Sequence, residues 1–135
     1  MQKSESLIQK EVMLSLSESG CLVFRNNTGK AWQGEVVRKD KDTITLRNYR
    51  FIHFGLQKGS SDLIGIKPVT ITQDMVGQTV GVFIAPEIKS ATGRATQQQN
   101  NFHLAVNRAG GLGFIARSAD EALAALQQFT EAQGE

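Results

Sequence analysis

Val80-Gly81-Val82-Phe83-Ile84-Ala85-Pro86-Glu87-Ile88-Lys89 is the stretch on which the fold turns. An apolar run this short reads as a strand, since a membrane span needs roughly 20 apolar residues. Side chains alternate across a strand, so Glu87 and Lys89 share one face and Ile88 points to the other. Pro86 has no N–H for the ladder, which implies a bulge or an unpaired edge just before Glu87.

Upstream, Gly55 and Gly59 bracket a turn before a second short strand, Asp62-Leu63-Ile64-Gly65-Ile66, ended by Pro68. Residues 72–77 read as one helical turn, capped by Thr72 and stopped by Gly77. A hairpin pairing of the two strands would bring Asp62 beside Glu87. Downstream, Phe102, Ala105, Val106 and Ala109 fall at i, i+3, i+4 and i+7, a core-facing helix from about Thr96 to the stop at Gly110-Gly111. A strand over 113–117 follows. Ser118 and Glu121 then form a capping-box pattern before a helix buried through Ala122, Leu123, Leu126 and Phe129.

The N-terminal part reads as a helix from Ser4 to Glu18, closed by Gly20, with Ile8, Val12 and Leu16 as its buried stripe. Residues 21–24 form a strand. Strand-like alternation over the next thirty residues, with a turn at residues 39–42, predicts a hairpin excursion with Trp32 near its start. The order is helix, strands, helix, strand, helix, an α/β domain with a central sheet. A length of 135 residues fits a single domain over 1–135.

Composition narrows the class. With 40% apolar and 21% charged residues, collagen-like, coiled-coil and wholly disordered chains are excluded. No continuous apolar stretch follows Lys3 and Lys10, so no secretory signal is expected. The single cysteine, Cys21, fits a reducing compartment. A soluble cytoplasmic domain without membrane partners is the expectation. The net charge of +2 conceals an asymmetry: residues 20–60 hold eight basic and three acidic side chains. Residues 118–135 carry Asp120, Glu121, Glu131 and Glu135 and no base. The basic segment is either a phosphate-contacting surface or a solvated hairpin.

Glu87 and Lys89 lie roughly 6–7 Å apart along one strand face. That spacing lets Glu87 ligate a metal while Lys89 reaches a water or phosphate oxygen beside it. Two adjacent carboxylates, Asp62 and Glu87, repel unless a cation sits between them, and oxygen-only ligation suits Mg²⁺. The chemistry is that of metal-assisted phosphodiester hydrolysis. Each piece has a plainer reading: Glu-x-Lys as a surface salt bridge, Asp62 as a turn cap. Glu5 falls inside the apolar stripe of the first helix, so it either has a role there or sits on a frayed first turn where a negative charge suits the dipole.

Gly55-Leu56-Gln57-Lys58-Gly59-Ser60-Ser61-Asp62-Leu63-Ile64-Gly65, then Glu87-Ile88-Lys89-Ser90, Gly93-Arg94 and Gln99-Asn100-Asn101-Phe102, resembles the VRR-NUC nucleases. These belong to the PD-(D/E)xK, restriction-endonuclease-like superfamily. The resemblance implies a central mixed sheet flanked by helices, with the basic hairpin as an excursion. It implies Asp62, Glu87 and the Ile88 carbonyl as ligands of Mg²⁺, with Mn²⁺ as a substitute, and Lys89 as the lysine that orients or deprotonates the attacking water. Gln99 matches the family's helix glutamine and Glu5 its first-helix glutamate. Ser61 stands where many relatives have proline. Lys30, Arg47, Arg50, Lys58 and Arg94 are the basic residues assigned to nucleic acid. The resemblance further implies branched DNA as substrate and a phage or prophage protein in a bacterial cytoplasm. A short chain with one such site would need a homodimer to cut two strands symmetrically, and no organic cofactor is expected. A non-catalytic DNA-binding module and a nonspecific DNA or RNA nuclease are the rival readings.

Other residues read more plainly. His53 and His103 lack partners at zinc-ligand spacing, and His103 is expected to face solvent. Cys21 reads as a buried strand residue rather than a nucleophile. Trp32 either stacks on a base or packs within the hairpin. Gly110-Gly111-Leu112-Gly113 does not open a helix, so it is a turn rather than a phosphate loop.

Overall fold

The computed structural model describes residues 2–133, with side chains described up to residue 129. Glu135 lies outside the described residues, as does the Glu131 side chain. The elements are α1 (Glu5–Glu18), β1 (Leu22–Arg25), β2 (Gly29–Lys39), β3 (Ile44–Phe54), β4 (Leu63–Ile66), β5 (Ile84–Ile88), α2 (Gln97–Arg108), β6 (Leu112–Ala116) and α3 (Ala119–Gln133). The class is mixed α/β. Among the described residues the strands form three two-stranded ladders, β1–β4, β2–β3 and β5–β6, rather than one continuous sheet. The chain divides into two compact units: Phe24–Ile64, and the remainder.

In the larger unit, β5 and β6 pair in parallel from Ile84↔Leu112 to Ile88↔Ala116 with no register shift. Lys89 N–H extends the ladder to the Ala116 carbonyl at 3.1 Å. Parallel strands need a crossover, and α2 supplies it. The unbroken register removes the bulge expected at Pro86. The other expectation holds: among the described residues β5 has a ladder on its β6 side only, so the missing N–H lies on an open edge. Val106 of α2 is fully buried and Ala116 of β6 is 1% exposed. Asn107 fastens helix to strand, accepting from Gly113 N–H at 2.7 Å. α3 starts at the Ser118 cap, where Ser118 Oγ accepts from Glu121 N–H, and the Glu121 carboxylate accepts from Arg117 N–H at 2.7 Å.

Three packing expectations are corrected. The α1 stripe is not buried: Ile8, Val12 and Leu16 are 45, 40 and 38% exposed, and Gln9 and Met13 are the more covered positions. Of the expected α3 face, Leu123 and Leu126 are 64 and 37% exposed, while Ala122 and Phe129 are more covered and Ala125 joins them. On α2, Phe102 is 40% exposed while its neighbour His103 is partly buried. Helical periodicity locates a stripe only to within about one residue, and on α2 and α3, which pack on β6, the neighbouring position is the more covered one.

The pairing of β4 with β5 is likewise corrected. β4 pairs with β1, and β5 with β6. Residues 67–83 separate the two strands and include Pro68, a 3-10 turn at Gln73–Met75 and Gly77 at φ +87°. That connection is no tight hairpin.

The smaller unit is dominated by the antiparallel β2–β3 hairpin, eleven residues a strand. Asp40 N–H closes its turn on the Thr43 carbonyl at 2.9 Å. Between the Gln33↔Arg50 and Glu35↔Arg47 pairs, Gly34 on β2 faces both Asn48 and Tyr49 on β3. Asn48 adopts φ +52° to make this bulge. A Cβ on Gly34 would meet the Arg47 carbonyl at 2.9 Å and Tyr49 Cα at 3.0 Å, so the close approach requires glycine. Asn26, 8% exposed, anchors the loop beyond β3. Its amide donates to Ser60 Oγ and the Ser61 carbonyl, both at 2.8 Å, and accepts from Leu56 N–H at 3.0 Å.

Candidate active site around Glu87

Alternation along β5 extends one residue beyond each end: Phe83, Ala85, Glu87 and Lys89 are the more covered positions, and Ile84, Pro86 and Ile88 the exposed ones. Ile88 is 71% exposed, on the face away from Glu87. The shared face of Glu87 and Lys89 is therefore present as the strand period requires. Lys89 Nζ lies 3.1 Å from Glu87 Oε1, with side chains 19 and 30% exposed. A pair this shielded is held more firmly than a fully solvated one.

Gln99 completes the cluster from α2. Thr96 caps this helix with a capping box: Thr96 Oγ1 accepts from Gln99 N–H at 3.1 Å, and Gln99 Oε1 accepts from Thr96 N–H at 2.9 Å. The amide oxygen is thereby committed to the cap. The NH₂ end must face the other way, and it donates to Glu87 Oε1 at 2.7 Å. One helix-capping device thus fixes the orientation of a donor to the carboxylate. Both donors fall on Oε1, which leaves Oε2 for another ligand.

The cluster borders a cleft of about 280 Å³ between β5 and α2, lined by Pro86, Glu87, Gln98, Gln99, Phe102 and His103. His103 is the residue that sequence reasoning assigned to solvent. It sits one turn after Gln99, and a Cβ on Gly113 would meet its ring at 2.9 Å, so the bare glycine makes room for it. Its i+4 spacing from Gln99 was the available signal. Arg117 was also missed: its guanidinium donates to the Ser90 carbonyl, bracing the chain just past Lys89. The parallel register, which sets Ala116 opposite Ile88, is what brings Arg117 there.

The remaining assigned residues are distributed differently. Asp62 belongs to the smaller unit, with an exposed side chain and its carbonyl accepting from Asn26 N–H at 2.9 Å. Glu5 is exposed on the first turn of α1, beside the Ser4 cap, and does not line the Glu87 cleft. Arg94 is exposed between the Ser90–Gly93 turn and α2. Lys30, Arg47, Arg50 and Lys58 are exposed in the smaller unit. Arg50 Nε donates to Gln33 Oε1 at 2.8 Å. Among the described residues no three His, Cys, Asp or Glu side chains converge as a metal-holding cluster. The hard oxygens of Glu87 and a main-chain carbonyl suit Mg²⁺ by donor type. No helix among the described residues is long and apolar enough to cross a membrane. No protein-family model, curated protein or solved structure matches this chain.

Proposed function

We propose that this chain is a Mg²⁺- or Mn²⁺-dependent DNA endonuclease of the VRR-NUC kind, with a restriction-endonuclease-like core, acting on branched DNA as a homodimer. The observation that carries the reading is the convergence of Lys89 Nζ and Gln99 Nε2 on Glu87 Oε1 beside a cleft. A surface salt bridge has no need of a third group aimed by a helix cap.

In this reading Glu87 and the Ile88 carbonyl would hold the divalent cation, with Asp62 and Glu5 as the further carboxylates that the family resemblance assigns to it. A divalent cation held there would supply Lewis acidity for phosphodiester hydrolysis. Gln99 keeps the Glu87 carboxylate in one rotamer so that Oε2 is presented consistently. Lys89 orients the attacking water and offsets the charge that builds on the phosphate oxygens, a contribution made chiefly in the transition state. The basic residues Lys30, Arg47, Arg50, Lys58 and Arg94 neutralise backbone phosphates. Two-fold symmetry in a homodimer would match the approximate symmetry of a four-way junction and give one site per strand.

The test is a panel of labelled four-way junction, duplex and single-stranded DNA, incubated in Mg²⁺ and in EDTA. Junctions are expected to be cut in symmetric pairs and faster than duplex, in Mg²⁺ only. DNA that is bound but never cut in Mg²⁺ would instead favour the non-catalytic binding module.

A further inference from the structure

On the β2–β3 hairpin, Lys30 and Trp32 of β2 stand opposite His53 and Phe51 of β3, and directly paired residues share a face. Tyr49 joins them two residues before Phe51. The rings form a continuous ladder: Trp32–Tyr49 centroids 5.4 Å apart, Trp32–Phe51 4.9 Å, and Phe51–His53 5.3 Å. Lys30 Nζ lies 6.0 Å from the Phe51 ring centre. Rings in contact normally serve to exclude water. Here Trp32, Tyr49 and Phe51 remain 62, 65 and 46% exposed, while Ala31 and Ile52 on the opposite face are the more covered.

We infer that this ladder is a stacking platform for the unpaired bases of a single-stranded nucleic-acid segment. An open row of aromatic faces within a basic surface is what sequence-tolerant base binding requires. The charge is complementary: residues 29–54 carry six basic and three acidic side chains. The His53 end of the ladder opens into a pocket of about 360 Å³ bordered by Lys30, His53, Phe54, Gln57 and Lys58, so ammonium groups flank the place where the strand would continue. A second copy of this chain fits poorly as the occupant. A two-fold contact through this face would set its lysines against one another, and like charges in apposition oppose association.

The inference deepens the nuclease reading by naming the part of the nucleic acid the hairpin holds, and binding in EDTA separates its failure from a failure of cleavage. Trp32 is the chain's only tryptophan, so its emission reports on the ladder directly. Oligothymidylate is expected to quench that emission, and its duplex with oligoadenylate to quench it much less. By labelled-oligonucleotide anisotropy, Trp32→Ala should weaken oligothymidylate binding about 5- to 150-fold, with Trp32→Phe recovering most of the loss. Phe51→Ala should weaken binding while leaving Trp32 as the reporter. Circular dichroism checks that each variant keeps the hairpin. Oligothymidylate binding with unchanged Trp32 emission, or a folded Trp32→Ala that binds as tightly as the wild type, would overturn the inference. So would sedimentation as a dimer in which Trp32 is shielded and oligonucleotide excluded, which would assign the face to a second copy. Continued junction cutting in any of these cases would leave the nuclease reading standing.

Discussion

The β5–α2–β6 block and the β2–β3 hairpin solve the same problem in opposite ways. In the block, a parallel pair is closed by a crossover helix, Val106 and Ala116 are sealed from water, and polar side chains satisfy one another. In the hairpin, long antiparallel pairing holds the strands together and no residue of either strand is buried. The first arrangement fixes a few polar atoms in one geometry, which is what a chemical step needs. The second spreads rings and cations over an accessible surface, which is what a long, variable ligand needs. In the proposed reading, rigid chemistry falls to the block and adaptable binding to the hairpin.

The sharpest break between them is expected at Lys89. Lys89→Ala should lower single-turnover cleavage about 100- to 1,000-fold, the usual cost of losing one group aimed at transition-state charge, with DNA affinity nearly unchanged. Next comes Asn26→Ala, which strips partners from Leu56 N–H, Ser60 and Ser61. It should cost about 3 kcal/mol by urea unfolding, since main-chain groups are left unpaired in a half-closed site. Val106→Ala should cost about 2 kcal/mol by opening a cavity in the block. Tyr49→Ala, on the hairpin, should cost under about 1 kcal/mol because only ring contacts are lost. Equal losses at Val106 and Tyr49 would erase the proposed contrast between a sealed block and an open hairpin.

Features set by short-range rules were legible in the sequence. The common face of Glu87 and Lys89 follows from the strand period, and the α2 start at Thr96 lies where the apolar spacing predicts it. The polar turn at residues 39–42 closes the hairpin as expected. Features set by distant parts of the chain were not. The choice of β1 as partner for β4 depends on chain that is far away in sequence. Asn26 reads as one polar residue among several, and only the folded loop makes it an anchor. Exposure of the α1 stripe and partial burial of His103 depend on which neighbour covers each face, which periodicity does not specify. Gln99 was legible as a site residue only through family resemblance; the capping box that aims it at Glu87 could also have been read from Thr96-x-x-Gln99.

The most direct test of the central claim is single-turnover cleavage of a labelled four-way junction by Glu87→Gln beside the wild type. The replacement keeps the side-chain size and removes the charge on which Lys89 and Gln99 converge. DNA affinity, measured in Ca²⁺ to suppress cutting, controls for folding and binding. The expected result is cleavage at background in Mg²⁺ with junction affinity unchanged. Cleavage by Glu87→Gln at the wild-type rate would contradict it and remove Glu87 from the active site.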